Sequence, residues 1–147
     1  MTGRDDSAFR LHMGRALAGK AREALARGDW REAALFARGA IESAAKAILA
    51  CFTGVPRSHE PGDILREALA QPGFPEPLRT EGGLLTGVWV AYGMAEHVLL
   101  SYGDERNRVD PWSLVTEARA REAVATAETA VDFAARCITT VLDEPHA

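Results

Sequence analysis

Glu42 and Lys46 stand four residues apart, acid first, in the run AIESAAKAIL. On a helix that spacing brings carboxylate and ammonium together, an ion pair that contributes only about 0.2–0.5 kcal/mol on a solvated surface. Arg106 and Arg108 follow Tyr102 in the stretch SYGDERNRVDPW. Long basic side chains in a loop are usually just solvated. Two guanidinium forks beside an aromatic ring, ahead of a helix start, also make an anion-binding corner, assisted by the free amides of that start. His59, in SHEPGDIL, titrates near neutral pH and reads either as a first-turn residue bonded to a loop carbonyl or as a ligand contact. His97 reads as structural or exposed.

Metal-dependent chemistry finds no support in the pattern. A carboxylate-bridged dimetal site in a helical bundle needs Glu-x-x-His pairs. The residues three before His12, His59, His97 and His146 are Phe9, Pro56, Met94 and Asp143, so only the last, near the terminus, has a carboxylate there. HExxH, the phosphate-cradling GxxxxGK[ST] loop and the GxSxG elbow are absent as well. No metal and no cofactor is expected. Cys51 and Cys137 form no CxxC motif and suit two reduced thiols better than a bridge. A net charge of −4 with scattered basic residues argues against a dedicated duplex-DNA binder. No apolar run approaches the roughly 20 residues of a bilayer span, and MTGRDDSAFR leads into no signal-type segment, so the expectation is a cytoplasmic protein without a membrane partner.

These side chains must be positioned by helices. Phe9, Met13, Leu17, Ala21 and Ala24 recur at steps of four and three, which predicts a first helix from about Ser7 to Arg27. Gly28 stops it, and Asp29 with Glu32 forms a capping-box-like start to a second helix. That helix aligns Trp30, Ala34, Ala37, Ile41, Ala44, Ile48 and Cys51 on one stripe and ends at Gly54 and Pro56. Ser58 is the expected cap of a short helix through Ile64, Leu65, Ala68 and Leu69. QPGFPEPLRTEGG then reads as an irregular crossover. A third helix takes Leu85, Val88, Tyr92, Ala95, Leu99 and Tyr102 as its seam and ends at Gly103. A fourth takes Val124, Ala127, Val131, Ala134, Ile138 and Val141. Trp89, Trp112 and Phe36 look additional to these seams and available for a dimer interface. No strand-like alternation competes, so one all-α domain over residues 1–147 is expected, an antiparallel up-down four-helix bundle with a short extra helix after the second.

Two helical families come close in pattern. GDWREAALFARGAIE has the spacing of a tetratricopeptide helix pair, but nothing repeats it about 34 residues on, and such units need several copies to bury a core. Far more of the chain, about residues 7 to 142, resembles the HEPN family (higher eukaryotes and prokaryotes nucleotide-binding). The resemblance rests on order: the Ala-rich helix with Glu42 and Lys46, then Gly54 and Pro56, then SHEPGDIL, then a helix ending in SYGDERNR and a closing helix introduced by VDPW.

The resemblance implies a bundle of four or five helices that is commonly dimeric, is often partnered with a minimal nucleotidyltransferase, binds nucleotides or RNA, and in many members cleaves RNA in a toxin–antitoxin setting. It also suggests that Glu42 and Lys46 flank the seam as part of a polar groove for a phosphate or partner; His59, Tyr102, Arg106 and Arg108 are candidate ligand contacts from their own chemistry. Members that cleave RNA are similar in an Arg-polar pair followed a few residues on by histidine. Arg106 and Asn107 match the opening of that motif, but Pro111, Trp112 and Ser113 occupy the positions where the histidine would fall. A general acid or base needs a group titrating near neutral pH. The expectation is therefore a noncatalytic module, with no catalytic residue, that homodimerises and binds a nucleotide, RNA or a nucleotidyltransferase. The alternatives are a degenerate ribonuclease toxin pairing Arg106 with Asp110 or His59, and a purely structural interaction protein.

Overall fold

The computed structural model describes residues 3–54 and 58–143. Seven α-helices follow one another among these residues: α1 (Gly3–Ala26), α2 (Trp30–Leu49), α3 (Pro61–Leu69), α4 (Glu76–Trp89), α5 (Met94–Tyr102), α6 (Pro111–Leu114) and α7 (Glu117–Asp143). A 3-10 turn, Val90–Tyr92, joins α4 to α5, so the two make one long, broken member of the bundle. With α1, α2 and α7 they form the four long elements, and α3 is the short helix in the crossover after α2. The chain is all-α, as the sequence predicts. The Pro56 stop lies outside the described residues; α2 ends earlier, at Leu49.

α2 is the central helix, packed against α1, α3 and α7. Asp29 caps it by accepting from the Glu32 amide at 3.4 Å, while the Glu32 carboxylate turns to Arg27 instead of reaching back. Ala34, Ala37, Ile41, Ala44 and Ile48 are buried along the predicted stripe, and α7 buries Val124, Ala127, Val131, Ala134 and Ile138 as expected.

Two predicted seams hold only in part. On α1 the buried positions are Ser7, Leu11, Gly14, Ala18, Ala21, Ala24 and Leu25, so Ala21 and Ala24 face the core as expected and Leu17 packs against it, whereas Phe9 and Met13 remain 54% and 40% exposed. α1 presses close to α2: a Cβ at Gly14 would lie 3.6 Å from the Ala40 carbonyl oxygen. A contact that tight selects small residues, and a count of large apolar ones misses it. Along α4 and α5 the buried set is Gly82, Thr86, Trp89, Gly93 and Leu100, not Leu85, Val88, Tyr92, Ala95, Leu99 and Tyr102. The buried positions keep helical spacing through the 3-10 turn, and the predicted seam is offset from them as a whole. Trp89, expected as surplus, is wholly buried and meets Phe133 edge-on, with ring centroids 6.4 Å apart.

The crossover is more regular than its prolines suggest. α4 begins at Glu76, directly after Pro75, with Pro77 in its first turn, where no intrahelical amide is needed. Ser58 does not cap α3. Its Oγ accepts from the Glu60 amide at 3.0 Å in the preceding turn, and the helix opens at Pro61 with Glu60 in the cap position.

Candidate functional site

The predicted ligand residues separate into two places. Glu42, Lys46 and His59 come together around Arg38, a residue the sequence reading did not single out. Arg38 is buried on α2, one turn before Glu42. Its Nη2 donates to Glu42 Oε1 at 2.9 Å and to the His59 carbonyl at 3.1 Å, and its Nε donates to the Gly93 carbonyl at 3.1 Å. Lys46 Nζ donates to the other Glu42 oxygen at 3.0 Å, and His59 Nδ1 stands 3.6 Å from that oxygen. Burial pushes the Glu42 carboxyl up, but Lys46 and Arg38 together outweigh it and hold the group below its ordinary value.

Glu60 completes the lock. Its carboxylate accepts from the Met94 amide at 2.9 Å, at the start of α5. It packs against the Gly93 Cα, where a Cβ would displace the carboxylate from the Met94 amide. The cluster thus ties α2 to the approach to α3 and to the break between α4 and α5. One carboxylate serves two cations, and only His59, with 56% of its side chain exposed, faces largely into solvent.

Tyr102, Arg106 and Arg108 lie elsewhere, at the end of the bundle where α2 begins. Asp104 and Val109 exchange backbone hydrogen bonds of 2.8 and 3.0 Å, closing a loop whose tip is Glu105–Arg108. The Asp104 carboxylate accepts from the Asn107 amide at 3.1 Å and from its side-chain nitrogen at 2.7 Å. Arg108 is left-handed with φ +56°, and Gly103, with φ +74°, packs against the Val109 carbonyl with no space for a side chain. The tip is therefore held in one shape, with Arg106 and Arg108 exposed on it.

Beside the tip, Tyr102 and Trp112 are each 66% exposed. The Arg31 guanidinium from α2 sits 5.6 Å from the Trp112 ring centroid and donates to the Leu100 carbonyl at 2.7 Å, fixing α5 and α6 to α2. Arg31 precedes Glu42 by eleven residues of helix, roughly 16 Å along the axis. Asp110, the candidate partner of Arg106, caps α6: Ser113 donates to it through its backbone amide at 2.8 Å and its hydroxyl at 3.0 Å. Those bonds hold the carboxyl below its ordinary value. Among the described residues, no group of three or more His, Cys, Asp and Glu side chains is placed to hold a metal ion.

The apolar face running up to this corner is the second feature that periodicity could not locate. Leu84 and Val88 on α4, then Met94, Val98 and Tyr102 on α5, recur at fours within each helix and are 39–72% exposed. Glu96 is the one Asp, Glu, Lys or Arg between Gly82 and Gly103, and Arg119 pairs with it. Among the described residues the stretch Glu76–Tyr102 is long and apolar enough, by length and composition alone, to cross a membrane, and the 3-10 turn interrupts it.

Residues 9–138 match the HEPN domain. The chain belongs to the HEPN domain family. The crystal structure of TT1696 from Thermus thermophilus shares the fold, with a TM-score of 0.69 at 22% identity, covering 88% of this chain and 96% of that one. No curated protein matches the sequence. Within the HEPN fold of this chain, Arg106 and Asn107 are at the tip of the loop after α5, and Asn107 is occupied in holding that tip. The signal that could have marked Arg38 was its place one turn before Glu42, on the same helix face as Lys46.

Proposed function

We propose that this HEPN domain is a noncatalytic module that pairs with a second copy of itself and binds single-stranded RNA or a nucleotide at the corner formed by Tyr102, Arg106, Arg108 and Trp112. The observation that carries this reading is the contrast in partners. Here two arginines are exposed on a braced loop, and an exposed aromatic residue stands on the helix at each end of it, Tyr102 on α5 and Trp112 on α6. Aromatic faces stack bases and arginines take phosphates, which is how unpaired RNA is commonly held. Glu42 is by contrast already engaged with both Lys46 and Arg38.

The noncatalytic part rests on proton transfer. Asp110 is capped and acidified, and His59 belongs to the Glu42 cluster rather than to the loop of Arg106. The pairing is supported by the uncharged stripe from Leu84 to Tyr102, since an apolar face is self-complementary in a two-fold dimer.

Light scattering on the intact chain is expected to give twice the chain mass, and Val98→Arg, which places charge in the stripe, to give the single mass. A fluorescent oligoribonucleotide is expected to bind without being cut in excess chelator. A monomeric native chain would assign the stripe to a different protein, for which a minimal nucleotidyltransferase is the candidate class. Cleavage lost on Arg106→Ala would overturn the noncatalytic reading.

A further inference from the structure

α4 carries glycine at positions 82, 83 and 87, and contacts within the chain account for the first alone. A Cβ on Gly82 would lie 2.6 Å from Leu69 Cδ2 and 3.3 Å from the Phe133 ring, so the core packs against bare backbone there. Gly83 and Gly87 are exposed, neither has a positive φ, and a Cβ on either would meet nothing within 4 Å. Glycine is the poorest helix former apart from proline, because it gives up the most backbone freedom on folding. Nothing within the chain offsets that loss at these two positions.

Leu84 stands beside them. At 72% it is the most exposed large apolar residue among those described. Gly83 and Gly87, one helical turn apart, leave a hollow along one flank of Leu84, and Val88, 47% exposed, borders the other flank. From Gly82 to Ala95 the chain has no Asp, Glu, Lys or Arg. A charged partner would therefore lose water against this face and gain no counter-charge. A second copy meets both conditions at once. A two-fold axis that sets α4 antiparallel to its counterpart brings no like charges together along the face, and it lays each Leu84 over the hollow of the other copy, the reciprocal contact that an isologous interface requires.

We propose that α4 is the centre of the pairing contact: the Leu84 side chain of each copy seats on the Gly83 and Gly87 backbone of the other, and the two helices pack more closely than side chains at those positions would permit. This rests on the pairing with a second copy inferred above and places its closest approach on α4. It gives Gly83 and Gly87 the reason that the single chain lacks. It also makes Leu84, which packs on nothing in its own core, the side chain that carries most of the contact.

The test is sedimentation equilibrium on the intact chain and four variants. Gly83→Leu and Gly87→Leu fill the hollow, Leu84→Ala removes the side chain that enters it, and Val98→Arg is the reference for pairing through the stripe. The first three are each expected to weaken pairing by about tenfold or more, the size of one well-packed interface side chain. Circular dichroism checks that their helices are kept, as expected for changes at exposed positions and for leucine replacing a poorer helix former. If the native chain pairs, Val98→Arg separates it and both leucine variants pair as tightly as the native chain while melting about 2–4 °C higher, the glycines are idle and the proposal is overturned, with the pairing itself left standing. A native chain that sediments at the single mass would overturn the pairing and this contact with it, leaving the face to a helix of a different protein.

Discussion

Two stretches of α2 carry polar side chains toward the rest of the molecule, and they are treated in opposite ways. Between Arg38 and Lys46 the charges face one another and two backbone carbonyls, so the groups are consumed in joining α2 to α3 and to the α4–α5 break. About two turns earlier, Arg31 does the same kind of joining for Leu100 and Trp112, but what it braces is a surface, where Tyr102, Arg106 and Arg108 stay exposed. The difference shows how a polar cluster near a core can resemble a binding site in sequence and yet be a structural clasp. Arg106 and Arg108, by contrast, are exposed on a loop whose shape is held by other residues.

Arg38→Ala should break the clasp with the largest effect. It strips the buried donor from Glu42 and from the Gly93 and His59 carbonyls, and a loss of about 3 kcal/mol of stability is expected. Chemical denaturation measures it. If the cluster were a ligand groove rather than a clasp, the loss would appear in binding and not in the midpoint.

Glu42→Gln should cost about 2 kcal/mol, because it leaves Lys46 and Arg38 facing a neutral amide. The effect depends on pH in a defined direction. The Glu42 carboxyl is held below its ordinary value in the folded chain. Its stabilisation is therefore fully present above the unfolded carboxyl pKa, about 4.3, and is lost as pH falls through the lower folded value. Native and variant melting temperatures should differ most at neutral pH and converge in acid; a gap that widened in acid would contradict the assignment.

At the other end, Arg106→Ala and Arg108→Ala should each weaken RNA binding by about tenfold, equivalent to about 1.4 kcal/mol, with little change in melting temperature. Anisotropy of a labelled oligonucleotide reads this out, and the dependence on salt should flatten in both variants. His59→Ala should do least. Its side chain is mostly solvent-facing and its link to the clasp runs through its backbone carbonyl, so a change under about 0.5 kcal/mol is expected.

The sequence by itself determined the helical class, the central stripe of α2 and the inner face of α7, because in those helices small and branched apolar residues contrast sharply with charged ones at a period of 3.6. It also carried the order of motifs that marks the family, and it brought Glu42 and Lys46 forward as a pair, with His59 as a separate candidate. It could not assign the faces of α1 or of the α4–α5 member. On α1 close approach rewards Ser7, Gly14 and Ala18 over Phe9 and Met13. From Gly82 to Tyr102 Glu96 is the one Asp, Glu, Lys or Arg, so the exposed and buried faces look alike. Only the tertiary structure decided that Arg38 is the keystone of the Glu42 cluster and that Tyr102 and Arg106 stand apart from it. Those facts depend on which carbonyls and carboxylates from distant segments arrive beside a given guanidinium, and spacing along one helix does not encode that.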